Sequence, residues 1–412
     1  MKTGTRFLAL LGVVAIIAAA CGGGASAAPT TGPSSGITPA PSDAPPAGLT
    51  GTLTIWHAYG SSGGAAEFNA FQQVLADITT KNPGLVISPV QVKFDDLYKN
   101  FEAESGAGGG PDMFIGPNDS LGNEARGGYL VDLSGKIDDV LANSNDVSVA
   151  GSKVDGKPYM VPESLKAVAM NYDSTKVPNP PKTTDELLTF VKGGGKVGMI
   201  TGPYFGWGLY SAFGGKIFDD AGKCVADANS GIADALSYVK KLKDAGALVD
   251  SNYGKVNDAF VNGDIDIMFN GNWTLGDYKA ARPGLAVGAF PAGSGGPART
   301  MTGVDGWYIN AASKNVDVAI AVAKALVSAD AQRIYVDVAG HVPSNKAVEV
   351  TDPLVKGFTD AILQGEARPQ IEQFGKYWGP FTDAWSKAVP DDGSAGGDTT
   401  ALVAKACTTL GK

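Results

Sequence analysis

The stretch GPYFGWGLY, residues 202–210, places four aromatic rings among three glycines and one proline. Glycine and proline weaken regular structure, so the stretch predicts a loop or the start of a helix whose rings need not all be core. Sugar rings pack their C–H faces on aromatic planes, and their hydroxyl groups need fixed donors and acceptors. Rings in such a loop are therefore candidates for carbohydrate binding.

Polar and aromatic residues recur where predicted strands end. Tyr59 follows the strand in GTLTIWHAYG, Asn118 and Asp119 follow PDMFIG, and Trp273 follows DIMFNG. In open α/β sheets, ligands bind beyond the carboxyl ends of the strands. The recurrence predicts a binding cleft built from these loops.

Tryptophans beside glycine or in loops are assigned to this cleft, namely Trp207, Trp273, Trp307 and Trp378. Trp56, inside a predicted strand, and Trp385, in a predicted helix near the C-terminus, are assigned to the core. For Trp207 the alternative is inward packing.

Signatures of catalysis and of metal binding are sparse. The chain has two histidines, His57 and His341, far apart in sequence, so a metal site of clustered imidazoles is not expected. There is no P-loop, no dinucleotide fingerprint and no GxSxG elbow. A pair of carboxylates could act on a glycosidic bond, but sequence spacing does not establish their separation. We predict a non-enzymatic protein without cofactor or metal.

The elements that position these residues alternate between strands and helices. Helical spacing runs from Ala65 to Thr80, and DDLYKNFEAESGAG and SGIADALSYVKKLKDAGAL are further helices. Extended apolar stretches, among them VISPVQVKF and GKVGMITGPYF, lie between helices, which is typical of α/β sheets with crossover helices. About 360 residues follow the N-terminal region, more than one compact core usually holds, so we expect two lobes.

The N-terminus has the features of an exported lipoprotein. Residues 1–20 combine Lys2 and Arg6 with an apolar run, which predicts a signal peptide. Cys21 follows three alanines and resembles a bacterial lipobox cysteine that is acylated; the alternative is an ordinary cleavage site beside an incidental cysteine. Residues 21–49, rich in Gly, Ala, Pro and Ser, predict a flexible tether.

The net charge limits the classes of binding partner, and the cysteine content bears on disulfide formation. The formal net charge of −9 argues against nucleic acid or anionic lipid as a partner. Beyond Cys21, only Cys224 and Cys407 remain, and in an oxidising compartment a pair predicts a disulfide. Two free buried thiols are the alternative.

These stretches together resemble those of a known family. The chain is similar, over residues 50–412, to extracytoplasmic solute-binding proteins of carbohydrate ABC transporters, in particular maltose/maltodextrin-binding proteins. The matching stretches, in the order of the family, are LTIWHAYG, GGGPDMFIGPND with RGGYLVDLS, GKPYMVPESLKAVAMNYDSTKVPNPPKT, GPYFGWGLYSAFGG, FVNGDIDIMFNGNW, TGVDGWYINAAS and YWGPFTDAW.

The resemblance implies a periplasmic-binding-protein-like α/β fold, in which two lobes hold a ligand in the cleft between them and crossing hinge segments join them. By this template the first lobe covers residues 50–164 and 307–345, and the second covers residues 165–306 and 346–412.

The resemblance also implies binding roles for individual residues. Asp119 is a hydroxyl-bonding carboxylate, Tyr204 and Phe205 belong to the aromatic loop, and Trp273 and Trp378 are stacking planes. The stretch at residues 202–210 is thus expected to form the aromatic wall of a sugar cleft.

Several positions depart from the family pattern. Gly202 stands where an acid precedes Pro-Tyr-Phe, Gly116 and Ser120 stand in place of a tryptophan and an arginine, and Lys166 stands where an acid is expected. Gly60 and Ser61 replace an Asp-Lys pair, and Ser61 is kept as a candidate contact.

Replacement contacts are expected from Tyr59, Glu163, Lys166, Asp305 and Trp307. The alternatives are lobe packing for Tyr59 and Trp307, and hinge hydrogen bonding for Glu163 and Asp305.

The expected function is that of a monomeric, lipid-anchored binding protein on the outer face of the cell membrane. It captures an oligosaccharide and delivers it to the permease subunits of an ABC importer. Two alternatives stay open. One is a secreted glycoside-processing enzyme, and the other is the same fold with a metal, polyamine or peptide as cargo.

Overall fold

The computed structural model describes residues 48–61 and 65–411. The predicted signal peptide, the predicted acylation site at Cys21 and the tether through residue 47 lie outside the described residues.

Strands and helices alternate along most of the described chain. The strands are β1 Gly51–His57, β2 Leu85–Gln91, β3 Met113–Pro117, β4 Lys153–Val154, β5 Lys157–Pro158, β6 Met160–Lys166, β7 Val168–Asp173, β8 Val197–Ile200, β9 Leu248–Asp250, β10 Ile267–Gly271, β11 Leu285–Gly288, β12 Met301–Ile309, β13 Val342–Pro343 and β14 Glu366–Ala367.

The α-helices are α1 Ala66–Lys81, α2 Phe94–Gly106, α3 Leu121–Arg126, α4 Asp138–Asn143, α5 Asp146–Gly151, α6 Thr184–Lys192, α7 Trp207–Ala212, α8 Gly231–Asp244, α9 Tyr253–Val261, α10 Leu275–Ala281, α11 Val316–Leu326, α12 Ala329–Ala339, α13 Pro353–Gln364, α14 Trp378–Ala388 and α15 Thr399–Leu410. Two short 3-10 helices cover Asn272–Thr274 and Glu372–Lys376.

The strands form two principal sheets. The first has the order β13-β6-β12-β3-β1-β2, and β14 pairs with the start of β12. The second has the order β11-β7-β10-β8-β9. In the first sheet β1 is parallel to β2 and β3, whereas β12 is antiparallel to β3 and β6. In the second sheet β8 is parallel to β9 and β10. The alternation predicted from the sequence is therefore present in both sheets.

The chain crosses between the two sheets several times. β6 of the first sheet and β7 of the second are separated by one residue, Ala167. A second crossing joins β11 to β12. α13 packs on β7 and β11 before β14 returns to β12. The residues next to these crossings are placed to contact both sheets.

Helices cover the sheets through apolar faces of helical period. α1 buries Phe71, Val74, Leu75 and Ile78, the spacing that predicted a helix over residues 65–80. Trp56 and Trp385 are buried in hydrophobic clusters, as predicted. Each sheet thus has its own apolar core.

A disulfide joins Cys224 to Cys407. Cys224 lies in the segment between α7 and α8, and Cys407 lies in α15, and both are buried in the hydrophobic cluster of the second sheet. The bond links the C-terminal helix to that core. Among the described residues, no helix combines the length and apolar character that crossing a membrane requires.

Candidate functional site

Three aromatic side chains meet beyond the carboxyl ends of β8 and β10. Tyr204 and Phe205 lie in the turn that follows β8, and Trp273 lies in the 3-10 helix that follows β10. Because β8 and β10 are parallel neighbours, their ends lie side by side. The Tyr204 and Trp273 ring centroids are 6.0 Å apart, and those of Phe205 and Trp273 are 6.4 Å apart. We call Tyr204, Phe205 and Trp273 the aromatic wall.

The aromatic wall is partly exposed, and a hydrogen bond holds its tryptophan. All three of its side chains are half-buried. The indole Nε1–H of Trp273 donates to the hydroxyl of Tyr253 at 3.1 Å. A hydrogen-bonded indole holds its plane in one orientation, as a stacking surface requires. The structure therefore brings together the rings that the sequence assigned to the stretch after β8 and to Trp273.

Two of the predicted cleft tryptophans are core residues instead. Trp207 begins α7, is 5% exposed, packs against the ring of Tyr377 and donates its Nε1–H to Glu366 at 3.2 Å. Trp307 lies inside β12, is fully buried and stacks on Phe71 with centroids 6.0 Å apart. Neither indole face is free for a ligand, so the packing alternative is correct for both residues.

Tyr59 and Ser61 follow β1. Tyr59 is 6% exposed and packs against the rings of Phe71 and Tyr335, so it too serves packing rather than an open cleft surface. Burial raises the pKa of Tyr59, and the negative charge of Glu163 raises it further. Ser61 is half-buried, and its backbone N–H donates to Ala58 at 3.0 Å. The described contacts do not bring Ser61 to the aromatic wall.

Asp119 at the end of β3 is paired with Arg368. The Arg368 guanidinium Nη1 bonds a carboxylate oxygen of Asp119 and also donates to Asn118 Oδ1 at 3.1 Å. Arg368 is 5% exposed, whereas the side chain of Asp119 keeps 25% of its surface exposed. Burial lowers the pKa of Arg368 to about 10, so the side chain remains a cation at neutral pH. The predicted hydroxyl-binding carboxylate thus carries a buried partner that the sequence did not indicate.

Arg368 also reaches two aromatic rings. Its guanidinium carbon lies over the Tyr204 ring at 5.4 Å from the centroid and over the Trp378 ring at 5.9 Å. Tyr204 belongs to the second sheet's loops, whereas Asp119 follows β3 of the first sheet. Arg368 therefore connects the predicted stacking residues to the predicted carboxylate.

A second group of polar side chains lies beside the crossing between β6 and β7. We call it the ionic cluster; its members are Glu67, Glu163, Lys166, Asp305 and His341. Lys166 Nζ lies 2.6 Å from Glu67 Oε1, 3.2 Å from His341 Nε2 and 3.5 Å from Asp305 Oδ2. The two ring nitrogens of His341 lie 3.0 Å from Glu163 Oε1 and 2.8 Å from Glu67 Oε1. Glu163 and Asp305 are therefore members of this cluster.

Opposite charges keep most of this cluster ionised despite burial. Burial opposes the charge on Glu67, but Lys166 and His341 outweigh it and lower the pKa of Glu67 to about 2. Burial and the charge of Lys166 oppose protonation of His341, but the carboxylates of Glu163 and Glu67 outweigh them and raise its pKa to about 9. For Lys166, the neighbouring carboxylates outweigh burial and raise the pKa further.

Asp305 differs from Glu67 in the direction of its pKa shift. Burial raises the pKa of Asp305 to about 6, and Lys166 offsets only part of that effect. Its carboxylate is thus held less firmly in the ionised form than that of Glu67. It also keeps 13% of its side chain exposed, against 1% for Glu163. Asp305 is accordingly a cluster carboxylate that remains accessible to a hydroxyl group.

Several of these contacts have no local signal in the sequence. Lys166 is 99 residues from Glu67 and 175 from His341, and Arg368 is 249 from Asp119. Glu67, His341 and Arg368 were therefore missed. The one available clue was Lys166 itself, a cation where the family pattern has an acid.

The chain is similar to several known proteins. A family model described as bacterial extracellular solute-binding protein matches residues 66–359. The maltotriose-binding protein of Pyrococcus abyssi is 25% identical over 360 residues, which are 83% of this chain and 78% of that protein. A maltooligosaccharide ABC transporter solute-binding lipoprotein of Streptococcus pneumoniae is 23% identical over 336 residues, 72% of this chain and 76% of that protein.

A solved structure supports the same relationship. The Thermus thermophilus maltotriose binding protein bound with maltotriose matches with a TM-score of 0.78 at 26% identity, over 87% of this chain and 98% of that one. This likeness confirms the predicted two-lobe α/β fold. Because the family model matches well over half of the sequence, the chain belongs to the bacterial extracellular solute-binding proteins.

Proposed function

We propose that the chain is the substrate-binding component of an ABC importer and captures an oligosaccharide of the maltodextrin type. The observation that carries the proposal is the aromatic wall, whose half-buried rings stand beside the charged groups of Asp119 and Arg368. Stacking planes beside fixed hydrogen-bonding groups are what a sugar requires. Relatives named for maltotriose and maltooligosaccharide binding support this class of ligand.

Binding is proposed to occur between two lobes with the predicted boundaries, residues 50–164 with 307–345, and residues 165–306 with 346–412. Ligand contacts to both lobes favour the closed arrangement over the open one, and the permease distinguishes the two. The ionic cluster lies beside the crossing at Ala167, where it holds β6, β12 and the start of α1 together.

The protein is proposed to act as a lipid-anchored monomer at the outer face of the cell membrane. Acylation of Cys21 would fix it to the membrane, and the tether of residues 21–49 would leave the folded part in water. The family is extracellular, and the Streptococcus pneumoniae relative is named a lipoprotein. Metabolic labelling with a fatty-acid analogue, compared between the wild type and Cys21→Ala, tests the anchor. Absence of label in the wild type would reject it.

No bond of the sugar is proposed to be broken. The carboxylates of Glu67 and Glu163 are engaged by Lys166 and His341 rather than poised as a catalytic pair. Incubation with maltotriose should therefore return intact maltotriose. Release of glucose or maltose at a rate that depends on the protein would favour the glycoside-processing alternative.

A thermal-shift screen tests the ligand class. The purified protein is heated with maltose, maltotriose, trehalose, sucrose, cellobiose, xylobiose and non-sugar controls. A ligand at about 100 times its Kd stabilises the native state by about 2.7 kcal/mol, which raises the melting temperature measurably. We expect a shift with the maltodextrins. A shift with a polyamine or peptide alone would retain the fold and reject the sugar.

A further inference from the structure

Arg368 is a buried charged residue that neither the sequence pattern nor the departures from it indicated. It follows β14, and its backbone N–H donates to Thr302 in β12 at 3.0 Å. The guanidinium is held on several sides, by Asn118, by Asp119 and by an Nε contact of 3.2 Å to the sulfur of Met301. A side chain tied at this many points does not swing freely.

Strand β12 has a glycine, Gly303, at the position where the Arg368 guanidinium packs. A Cβ atom at Gly303 would lie 3.1 Å from the Arg368 Cζ and Nη2 atoms. Contacts that close are tighter than ordinary van der Waals packing, so a larger residue at 303 would displace the guanidinium. The glycine in β12 and the arginine after β14 thus form one packing unit.

The guanidinium covers aromatic surface that a sugar would otherwise use. It lies over the rings of both Tyr204 and Trp378, at 5.4 and 5.9 Å from their centroids. The Trp378 indole also packs against Phe374 and Tyr377 in T-shaped contacts, with centroids 5.2 Å apart in each pair. A pyranose stacks on a ring face in van der Waals contact, and a cation held 5.4 to 5.9 Å over the ring centroids leaves no room for one there.

We propose that Arg368 is a specificity-determining residue. By lying over Trp378 and Tyr204 it prevents a sugar ring from stacking there, and so restricts the cleft to short oligosaccharides. The inference rests on the proposed function and refines it. Sugar rings then stack only on Trp273 and Phe205, the two members of the aromatic wall that the guanidinium does not lie over. A longer maltodextrin gains no stacking contact from its additional ring, so its affinity does not exceed that of maltotriose.

The test is the ratio of the Kd for maltotriose to the Kd for maltotetraose, measured by isothermal titration calorimetry on the wild type and on Arg368→Ala. Removal of the side chain should raise this ratio about tenfold, because an added glucose ring can then bury roughly 50 Å² of apolar surface on Trp378. Arg333→Ala, which removes an exposed arginine of α12, is the control and should leave the ratio unchanged.

A double-mutant cycle tests whether the effect of Arg368 on the ratio depends on Trp378. In a Trp378→Ala background, Arg368→Ala should no longer change the ratio, because the ring that it exposes is absent. Arg368→Lys is a second variant in case Arg368→Ala does not fold. It keeps a cation for Asp119 but lacks the planar group that covers the rings, so it should change the ratio in the same direction.

The outcomes separate the inference from the proposed function. If the wild type binds maltotriose and both Arg368 variants leave the ratio unchanged, the inference fails and the function stands. If Arg368→Ala weakens both sugars equally, Arg368 is a direct ligand donor and does not restrict length. If the wild type binds no maltodextrin, the proposed function fails and the inference fails with it.

Discussion

Replacement of His341 by Gln should remove a large part of the protein's loss of stability at alkaline pH. His341 is 1% exposed, and its two ring nitrogens lie 3.0 and 2.8 Å from carboxylate oxygens of Glu163 and Glu67. With an acceptor at each nitrogen, the imidazolium form satisfies both contacts. These carboxylates outweigh burial and the charge of Lys166, and they raise the pKa of His341 from 6.5 to about 9.

The size of the effect follows from linkage. A histidine whose pKa is higher in the folded than in the unfolded state stabilises the fold fully below the unfolded value, and this contribution is lost as pH rises through the folded value. For His341, the rise from 6.5 to about 9 corresponds to about 3 kcal/mol. The free energy of unfolding should therefore contain a contribution of this size near pH 6 that is gone near pH 10.

Urea unfolding at a series of pH values measures this contribution. The informative quantity is the free energy of unfolding of the wild type minus that of His341→Gln, because groups with the same pKa in both proteins cancel. The difference should fall by about 3 kcal/mol between about pH 6 and pH 10. A difference that stays constant over this range would refute the ion-pair assignment.

His57, the other histidine of the chain, is the matched control. It is 2% exposed, lies among the rings of Phe68 and Phe71, and has its pKa lowered by burial to about 4. The folded state therefore favours neutral His57, and its contribution is lost as pH falls from 6.5 to about 4. In NMR titrations the two imidazole signals should move on opposite sides of pH 6.5. A His341 signal titrating at or below that value would contradict the reasoning.

Further perturbations test other parts of the structure. Burial and the charge of Glu102 raise the pKa of Glu124 to about 9, so folded-state stability falls as pH rises from about 4.5 towards that value. Glu124→Gln should lessen this fall and stabilise the protein at pH 8 in urea unfolding; unchanged pH dependence would argue against a protonated Glu124. The Cys224–Cys407 bond spans 183 residues, and its reduction should lower the free energy of unfolding by about 5 kcal/mol in the chain-entropy model, measured with and without dithiothreitol. Trp273→Ala should weaken sugar binding by about 10 to 100-fold with an unchanged circular dichroism spectrum, and equal affinity would remove Trp273 from the site.

The parts of the site that were predictable are those that depend on local pattern. The helical period of residues 65–80 and the short apolar runs before Thr201 and Asn272 place helices and strands close to where α1, β8 and β10 lie. Once two parallel strands are neighbours, the residues after their carboxyl ends must meet. The positions of Tyr204, Phe205 and Trp273 follow from that rule.

Tryptophans beside glycine were assigned less well, for a physical reason. A Cβ at Gly206 would lie 2.2 Å from the Trp385 ring, and one at Gly306 would lie 2.6 Å from the Met160 side chain. Each glycine therefore makes room for a residue from another element. It does not expose the tryptophan that follows it, so Trp207 and Trp307 turn inward.

Contacts between distant segments were not predictable, and they determine the electrostatics of the site. Considered without its neighbours, Lys166 is an unexplained cation at a position where the family pattern has an acid. Glu67 on α1 and Asp305 on β12 supply carboxylates beside it, so the site keeps an acid within reach of a hydroxyl although the residue on β6 has changed sign. At the other end, Arg368 is paired with Asp119 and lies over two aromatic rings. In both places the charge of the site depends on a partner more than 90 residues away, so the ligand preference of this chain cannot be inferred from one position alone.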